Sequence, residues 1–250
     1  MLLLSTNSLN GYWLHKIFMM AKKAGFFGID LSMSATEYDT QDAEYIRTLE
    51  TITGIKVKSI TAYERKMTEE IVDQIMKIAI SLDVKTVNFY PPHRSDKNKE
   101  WFWEHLAWVQ KKYPNIKICA INAPPKTILF IISEYGDARP EIIKKITGNT
   151  ALSISNVDPS SGIDLMKTFT ILGNSIQHIY LSDKKEEKEG VFFWNGEMPI
   201  ESLLIKLKEL WYNGTFSISL NPKELLVWDD DKVIRKLQDA QRYFEKYFHV

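Results

Sequence analysis

The strongest constraint on this chain is an alternation repeated eight times. Short apolar runs ending in small or polar residues are separated by longer stretches with helical periodicity. The runs are Leu2–Ser5, Gly28–Ser32, Val57–Ala62, Thr86–Tyr90, Lys117–Asn122, Ala151–Asn156, Ile176–Leu181 and Phe216–Asn221. Runs of that length between turn-forming residues read as buried strands. Between them, Trp13, Ile17, Met20 and Ala24 recur at helical spacing, as do Ile71, Ile75, Ile78 and Leu82. Ile200, Leu203, Leu204 and Leu207 form a third stripe. Val233, Leu237, Ala240, Phe244 and Tyr247 form a fourth. Thr68, followed by Glu69 and Glu70, has the chemistry of a helix N-cap with an acidic first turn.

Strands alternating with helices predict a parallel sheet with right-handed crossovers. Eight such units in 250 residues favour closure into a barrel over an open doubly wound sheet. The expected fold class is α/β, a single (β/α)8 TIM barrel over residues 1–250. No Pro/Gly/Ser-rich linker divides the chain, and the repeat shows no self-similarity in sequence.

Composition narrows the function classes. Thirty-two basic and 32 acidic residues cancel to zero net charge. A chain that grips many phosphates carries a basic excess, so no nucleic-acid partner is expected. The one cysteine, Cys119, allows no intramolecular disulfide and fits a reducing compartment. No apolar stretch reaches transmembrane length. Leu2-Leu3-Leu4 lacks a basic flank and is too short for a signal segment. The chain is expected to be soluble and cytoplasmic, with no membrane partner. Trp101, Phe102, Trp103 and Trp108 crowd one helix, and Trp101 and Trp103 lie on different faces. A homo-oligomer contact is one outlet for such a surface.

Barrels carry their chemistry at the C-terminal ends of the strands. The tips here present Ser5, Thr6 and Asn7; Asp30, Ser32 and Ser34; Thr61 and Tyr63; Tyr90, His93 and Arg94; Ile121, Asn122 and Lys126; Ser155, Asn156 and Asp158; Tyr180, Ser182, Asp183 and Lys184; Ser219, Asn221 and Lys223. The set is polar but poor in the converging carboxylates and imidazoles that a divalent metal needs. His93 is the one histidine near a tip.

Several segments, in order, resemble motifs of the xylose isomerase-like barrels, which include sugar (phosphate) isomerases and epimerases and the endonuclease IV type of abasic-site nuclease. Ala24-Gly25-Phe26-Phe27-Gly28-Ile29-Asp30-Leu31 resembles the family's second strand, and Lys117-Ile118-Cys119-Ala120-Ile121-Asn122 its fifth. Ala151-Leu152-Ser153-Ile154-Ser155-Asn156-Val157-Asp158 resembles the sixth, and Ile176-Gln177-His178-Ile179-Tyr180-Leu181-Ser182-Asp183 the seventh. Asn195-Gly196-Glu197 resembles the glycine turn that follows. Tyr212-Asn213-Gly214-Thr215-Phe216-Ser217-Ile218-Ser219-Leu220 resembles the eighth strand.

The resemblance implies the same fold and a metal-dependent site, but the chain departs from the family's ligand set. Ile121 stands at the strand-five Glu, Ser155 at the strand-six Asp and Asp158 at its His. Tyr180 stands at the strand-seven His, Ser219 at the strand-eight Glu, and Tyr90 at the strand-four His of the nuclease branch. That branch's metal-binding Asp-x-His is absent before Gly190-Val191-Phe192-Phe193. A slip of one residue brings up Asn122, Asn156 and Asn221, which are not carboxylates. No metal or other cofactor is therefore expected.

Asp183 and Glu197 remain as acid/base candidates, although each has a structural alternative. Asp183 could order the loop after strand seven, and Glu197 could cap the helix after Pro199. Tyr90, His93, Arg94, Asn122, Lys126, Asp158, Tyr180, Lys184, Trp194 and Asn221 are candidate ligand-binding residues. His93 with Arg94 suits an anion, and Tyr90, Tyr180 and Trp194 suit a stacked sugar ring. Phosphate binding by Lys184, Lys185 and Lys223 lacks the usual Gly-rich cradle. Cys119 and His178 read as core residues. The expected function is a divergent isomerase/epimerase-like barrel that has lost metal-dependent catalysis and keeps a polar mouth for a small sugar-like ligand or a partner. The alternative is an active isomerase or epimerase with a rearranged site, and an abasic-site endonuclease ranks last.

Overall fold

A computed structural model of the chain describes residues 1–64, 67–96, 99–123, 127, 128, 132–136, 139–157, 163–186 and 188–248. Eight parallel strands close into a barrel: β1 (Leu2–Ser5), β2 (Gly28–Ser32), β3 (Lys56–Thr61), β4 (Thr86–Phe89), β5 (Lys117–Ile121), β6 (Thr150–Ser153), β7 (Ile176–Leu181) and β8 (Thr215–Ile218). Sequential strands are neighbours, and β8 closes onto β1 with Leu2, Leu3 and Leu4 opposite Phe216, Ser217 and Ile218. Around them lie α1 (Leu14–Ala24), α2 (Ala43–Thr53), α3 (Glu69–Ser81), α4 (Lys99–Lys112), α5 (Pro140–Thr147), α6 (Leu165–Leu172) and α7 (Ile200–Glu209). A helical turn, Pro222–Leu225, precedes the long α8 (Asp230–Phe248). Among the described residues no helix is long and apolar enough to cross a membrane.

Strand alternation sorts the side chains into two compartments. Ile29, Leu31, Ile60, Val87, Phe89, Ile118, Leu152, Ile179, Leu181, Phe216 and Ile218 join the continuous core shared with the helices. The residues between them point into the barrel. Asp30, Ser59, Thr61, Asn88, His178, Tyr180 and Ser217 are all buried there. Cys119, Ile121, Ala151 and Tyr180 make a small separate apolar cluster, with Tyr90 against it. The barrel therefore has an apolar outer layer and a largely polar axis.

The helix stripes pack inward as their spacing requires. Ile200, Leu203, Leu204 and Leu207 are all buried, as are Val233, Leu237, Ala240 and Phe244. Thr68 Oγ1 accepts the Ile71 N–H at 3.4 Å, as an N-cap should. Gly25 ends α1 at φ +87°, a conformation that costs glycine little. Trp13 departs from its stripe. It is the N-cap of α1 and 75% exposed, because Asp39 Oδ2 accepts the Leu14 N–H at 3.3 Å and starts the helix one residue later.

β3, β4 and β5 each stop one residue short of their apolar runs, and β6 and β8 stop three residues short. β6 ends at Ser153 because the Asn156 N–H turns back to the Ser153 carbonyl and Val157 to Ile154. β8 ends at Ile218. Asn221 Oδ1 instead accepts the Lys223 N–H at 3.0 Å and caps the helical turn. The aromatic run of α4 is absorbed partly by stacking. His105 sits between Trp101 at 4.8 Å and Trp108 at 5.4 Å, and Phe102 meets Phe89 edge-on.

Candidate functional site

The ends of β1 to β4 and the loops after them enclose an open cleft of about 930 Å³, a size that suits a small ligand. β1 and its loop supply Thr6, Asn7, Tyr12 and Trp13. The β2 loop supplies Ser32, Ser34, Glu37, Tyr38 and Asp39. β3 and the residues after it supply Thr61, Tyr63 and Glu64, and Tyr90 follows β4. The β2 loop is tied to itself. The Ser34 N–H donates to Thr40 Oγ1 at 3.2 Å, Thr40 Oγ1 donates to the Glu37 carbonyl at 2.7 Å, and Gln41 Nε2 donates to the Ser34 carbonyl at 2.9 Å. Thr6 Oγ1 accepts the Ser32 N–H at 2.9 Å and joins the first two tips.

Thr61 connects the cleft to a buried carboxylate. Asp30 is fully buried, and its Oδ1 accepts the Ser59 hydroxyl at 2.7 Å and the Thr61 hydroxyl at 3.1 Å. With Thr61 donating to Asp30, the Tyr180 hydroxyl, 2.6 Å away, donates to Thr61. Burial first, and then the Asp30 charge, push the Tyr180 phenol well above its ordinary value. Burial pushes Tyr90 up as well, with Glu64 and Asp30 adding to it. Asn88 lies beside Thr61 in register and is fully buried, and neither of its side-chain amide atoms has a partner among the described residues. On the far side of the axis, neutral His178 is held at both ring nitrogens, by Thr215 Oγ1 at 2.7 Å and Ser217 Oγ at 2.9 Å.

The nominated residues do not converge on one point. Tyr90 lines the cleft. Tyr180 lies below it, inside the barrel. Asn122 is bound on both sides to β6, donating to the Ser153 carbonyl at 2.9 Å and accepting the Ser153 N–H at 2.6 Å. His93 is buried against Tyr135, with its ring 4.5 Å away and its Nδ1 3.2 Å from Glu134. Arg94 is exposed beside it. Trp194 stacks on Phe192 at 4.8 Å and meets Tyr243 of α8, outside the barrel. Asn221 caps its helical turn. Lys126 and Asp158 lie outside the described residues.

Asp183 is occupied by its own loop. Its Oδ1 accepts the backbone N–H of Lys184 at 2.7 Å, Glu197 at 3.1 Å and Met198 at 2.9 Å. Its Oδ2 is buried without a partner among the described residues, and burial holds the carboxyl above its ordinary value against the pull of those N–H groups. Glu197 points its side chain to solvent, as do the neighbouring Trp194 and Asn195, while Lys184 is half-buried in the hairpin after β7. Gly196 is needed here, because a Cβ would fall onto the Asp183 carboxyl group. Gly196→Ala is expected to cost about 1–3 kcal/mol by forcing that contact apart. An unchanged urea midpoint would show that the turn yields freely.

The described positions that match the family's metal ligands carry neither carboxylate nor imidazole. Ile121 is alkyl and fully buried, Ser155 receives the Ser182 hydroxyl, and the Tyr180 phenol is tied to Thr61. Among the described residues, no three His, Cys, Asp or Glu side chains cluster so as to hold a metal ion. The described residues at these positions therefore do not fit the family's divalent centre, and Asp158, matched to the strand-six His, lies outside the described residues.

The signal for Tyr12, Trp13, Glu37, Tyr38, Asp39 and Glu64 as lining residues was weak in the sequence. They sit in loops beyond the strand tips, and only closure of the barrel brings those loops together.

No protein-family profile matches the chain, and no curated protein matches it in sequence. Solved structures do match in three dimensions. An L-ribulose 3-epimerase aligns at a TM-score of 0.72 and 12% identity, over 98% of this chain and 93% of its own. A xylose isomerase domain protein from Alicyclobacillus acidocaldarius aligns at 0.70 and 10%, over the whole of both chains. Endonuclease IV from Thermus thermophilus aligns at 0.55 and 13%, over 92% of this chain and 94% of its own. The chain thus has the (β/α)8 barrel fold of the xylose isomerase-like proteins.

Proposed function

We propose that the protein binds a small sugar-like polyol in the cleft over β1 to β4 and does so without the metal centre its fold implies. The carrying observation is the cleft itself. Hydroxyls from Thr6, Ser32, Ser34 and Thr61 can trade hydrogen bonds with a polyol, and the aromatic faces of Trp13, Tyr38, Tyr63 and Tyr90 border the same space. The donor chemistry of Ile121, Ser155, Tyr180 and Ser219 supports a metal-free reading. Titration with a panel of pentoses and hexoses tests it. Trp13→Ala should weaken binding about tenfold, roughly 1.4 kcal/mol, and leave stability unchanged because Trp13 is largely exposed. If ligand binding is indifferent to Trp13→Ala and Tyr63→Ala, the ligand lies elsewhere. If binding is lost on chelation and restored by about one divalent metal per chain, the metal-free reading is wrong.

An isomerase or epimerase with a rearranged site is the second reading, favoured by the line from cleft to Thr61 to Asp30. Thr61 could relay the proton, its hydroxyl passing one proton to Asp30 as its oxygen takes the carbon-bound proton beside a carbonyl, with the reverse transfer returning it. Exchange of a carbon-bound proton in heavy water, abolished by Asp30→Asn, is the outcome that reading requires.

A further inference from the structure

The cleft gathers negative charge. Glu37, Asp39 and Glu64 line it, and Asp30 lies one hydroxyl beneath its floor. None of the four forms an ion pair with a described residue. Asp39 is positioned by the Leu14 N–H and Glu64 by the Tyr135 hydroxyl, at 2.6 Å. Asp30 is satisfied by hydroxyls alone. No Lys, Arg or His is found among the described residues that line the cleft. Arg65 and Lys66, next to Glu64 in the chain, lie outside the described residues. At the rim, Lys16 stands over the Tyr12 ring at 4.1 Å, and Asp230 holds its ammonium at 2.8 Å.

Carboxylates crowded in one concave space repel each other, and a bound cation relieves that repulsion. Desolvation and the neighbouring Asp39 already hold the Glu37 carboxyl above its ordinary value. Aromatic faces add to the case, because an ammonium sits favourably over the ring of Trp or Tyr. Tyr12 already takes one, from Lys16. Trp13 and Tyr38, 75% and 81% exposed, flank the same opening with their faces uncovered. Hydroxyls of Thr6, Ser32, Ser34 and Thr61 in the same lining add hydrogen-bonding capacity for a polar ligand.

From this combination we infer that the ligand of the cleft is a polyol bearing a protonated amine, an amino sugar, and that phosphorylated sugars are rejected. The inference rests on the cleft being the ligand site. An ammonium held in the cleft gains from the carboxylates that line it, whereas a phosphate meets the same charges as repulsion.

Calorimetric titration with three probes tests it: D-glucosamine, D-glucose and D-glucose 6-phosphate, at about pH 6 where a sugar amine is protonated. Glucosamine should bind at least about tenfold more tightly than glucose, and glucose 6-phosphate should bind more weakly than either. Glu37→Gln and Glu64→Gln should each erode the preference for glucosamine over glucose, read as the ratio of the two dissociation constants. Gln at position 64 keeps an oxygen that can accept the Tyr135 hydroxyl, and the Glu37 side chain is exposed, so both variants should fold. Glucose binding as tightly as glucosamine, or glucose 6-phosphate binding most tightly, overturns the amino-sugar inference and leaves the ligand site standing. Failure of all three sugars to bind overturns both.

Discussion

The Tyr180→Ala variant is expected to be about 3–5 kcal/mol less stable than the parent chain, whereas Tyr180→Phe should lose only about 1 kcal/mol. Tyr180 is buried and is the largest member of the small apolar cluster inside the barrel, with Cys119, Ile121 and Ala151 around it. Removing the ring leaves a cavity that three small or stiff neighbours cannot fill. It also removes the group that donates to Thr61. Phe keeps the ring and loses only that hydrogen bond, and Thr61 still donates to Asp30. Urea denaturation of the two variants separates packing from hydrogen bonding. If Tyr180→Ala costs under about 1 kcal/mol, the ring is not filling the space at the matched ligand position, and the mouth has room for another occupant.

Acidification should destabilise the protein through His178, with a loss of about 2 kcal/mol between about pH 7 and pH 5 and about 3 kcal/mol by about pH 4. Burial lowers the imidazole from its ordinary 6.5 to about 4, while Asp30 opposes the shift. Its two nitrogens meet the Thr215 and Ser217 hydroxyls, which suit a neutral ring. The unfolded chain binds the proton from about pH 6.5 downward, and the native chain does not until about pH 4. Over that window the unfolded state holds more protons, so stability falls as pH falls. Other groups titrate in the same range, so the comparison is with His178→Asn, which should be less stable at neutral pH but flatter in the window. Parallel slopes for the two proteins would show that His178 takes up its proton in the native barrel.

How much of this was legible in the sequence varied with the distance over which each feature is decided. The eight strands were readable because burial on the helix-facing side leaves an apolar residue at every other position, as at Ile29 and Leu31 or Ile179 and Leu181. The inner side was read less well. Asp30 looked like a tip residue, yet it is a fully buried carboxylate, and nothing local marks the Ser59, Thr61 and Tyr180 hydroxyls that surround it. Strand ends failed where turn chemistry won. Asn156 and Asn221 extend apolar runs on paper, but their side chains and amides serve a turn and a cap. His93 reads as a mouth residue because it lies just past the tip of the fourth strand. A pairing with Tyr135, more than forty positions away, draws it under a loop instead.

The sequence by itself determined the layered plan and which side chains stand at the positions matched by resemblance. Periodicity is a local property, and Ile121 or Ser219 offers no carboxylate in any conformation. Tertiary structure alone decided where a ligand could sit. The cleft joins Trp13, Glu37, Asp39, Glu64 and Tyr90 from four separate loops, and Tyr180 reaches Thr61 from across the barrel. Closure of the sheet creates those proximities, because a closed barrel sets each tip against the tips of strands far away in the chain.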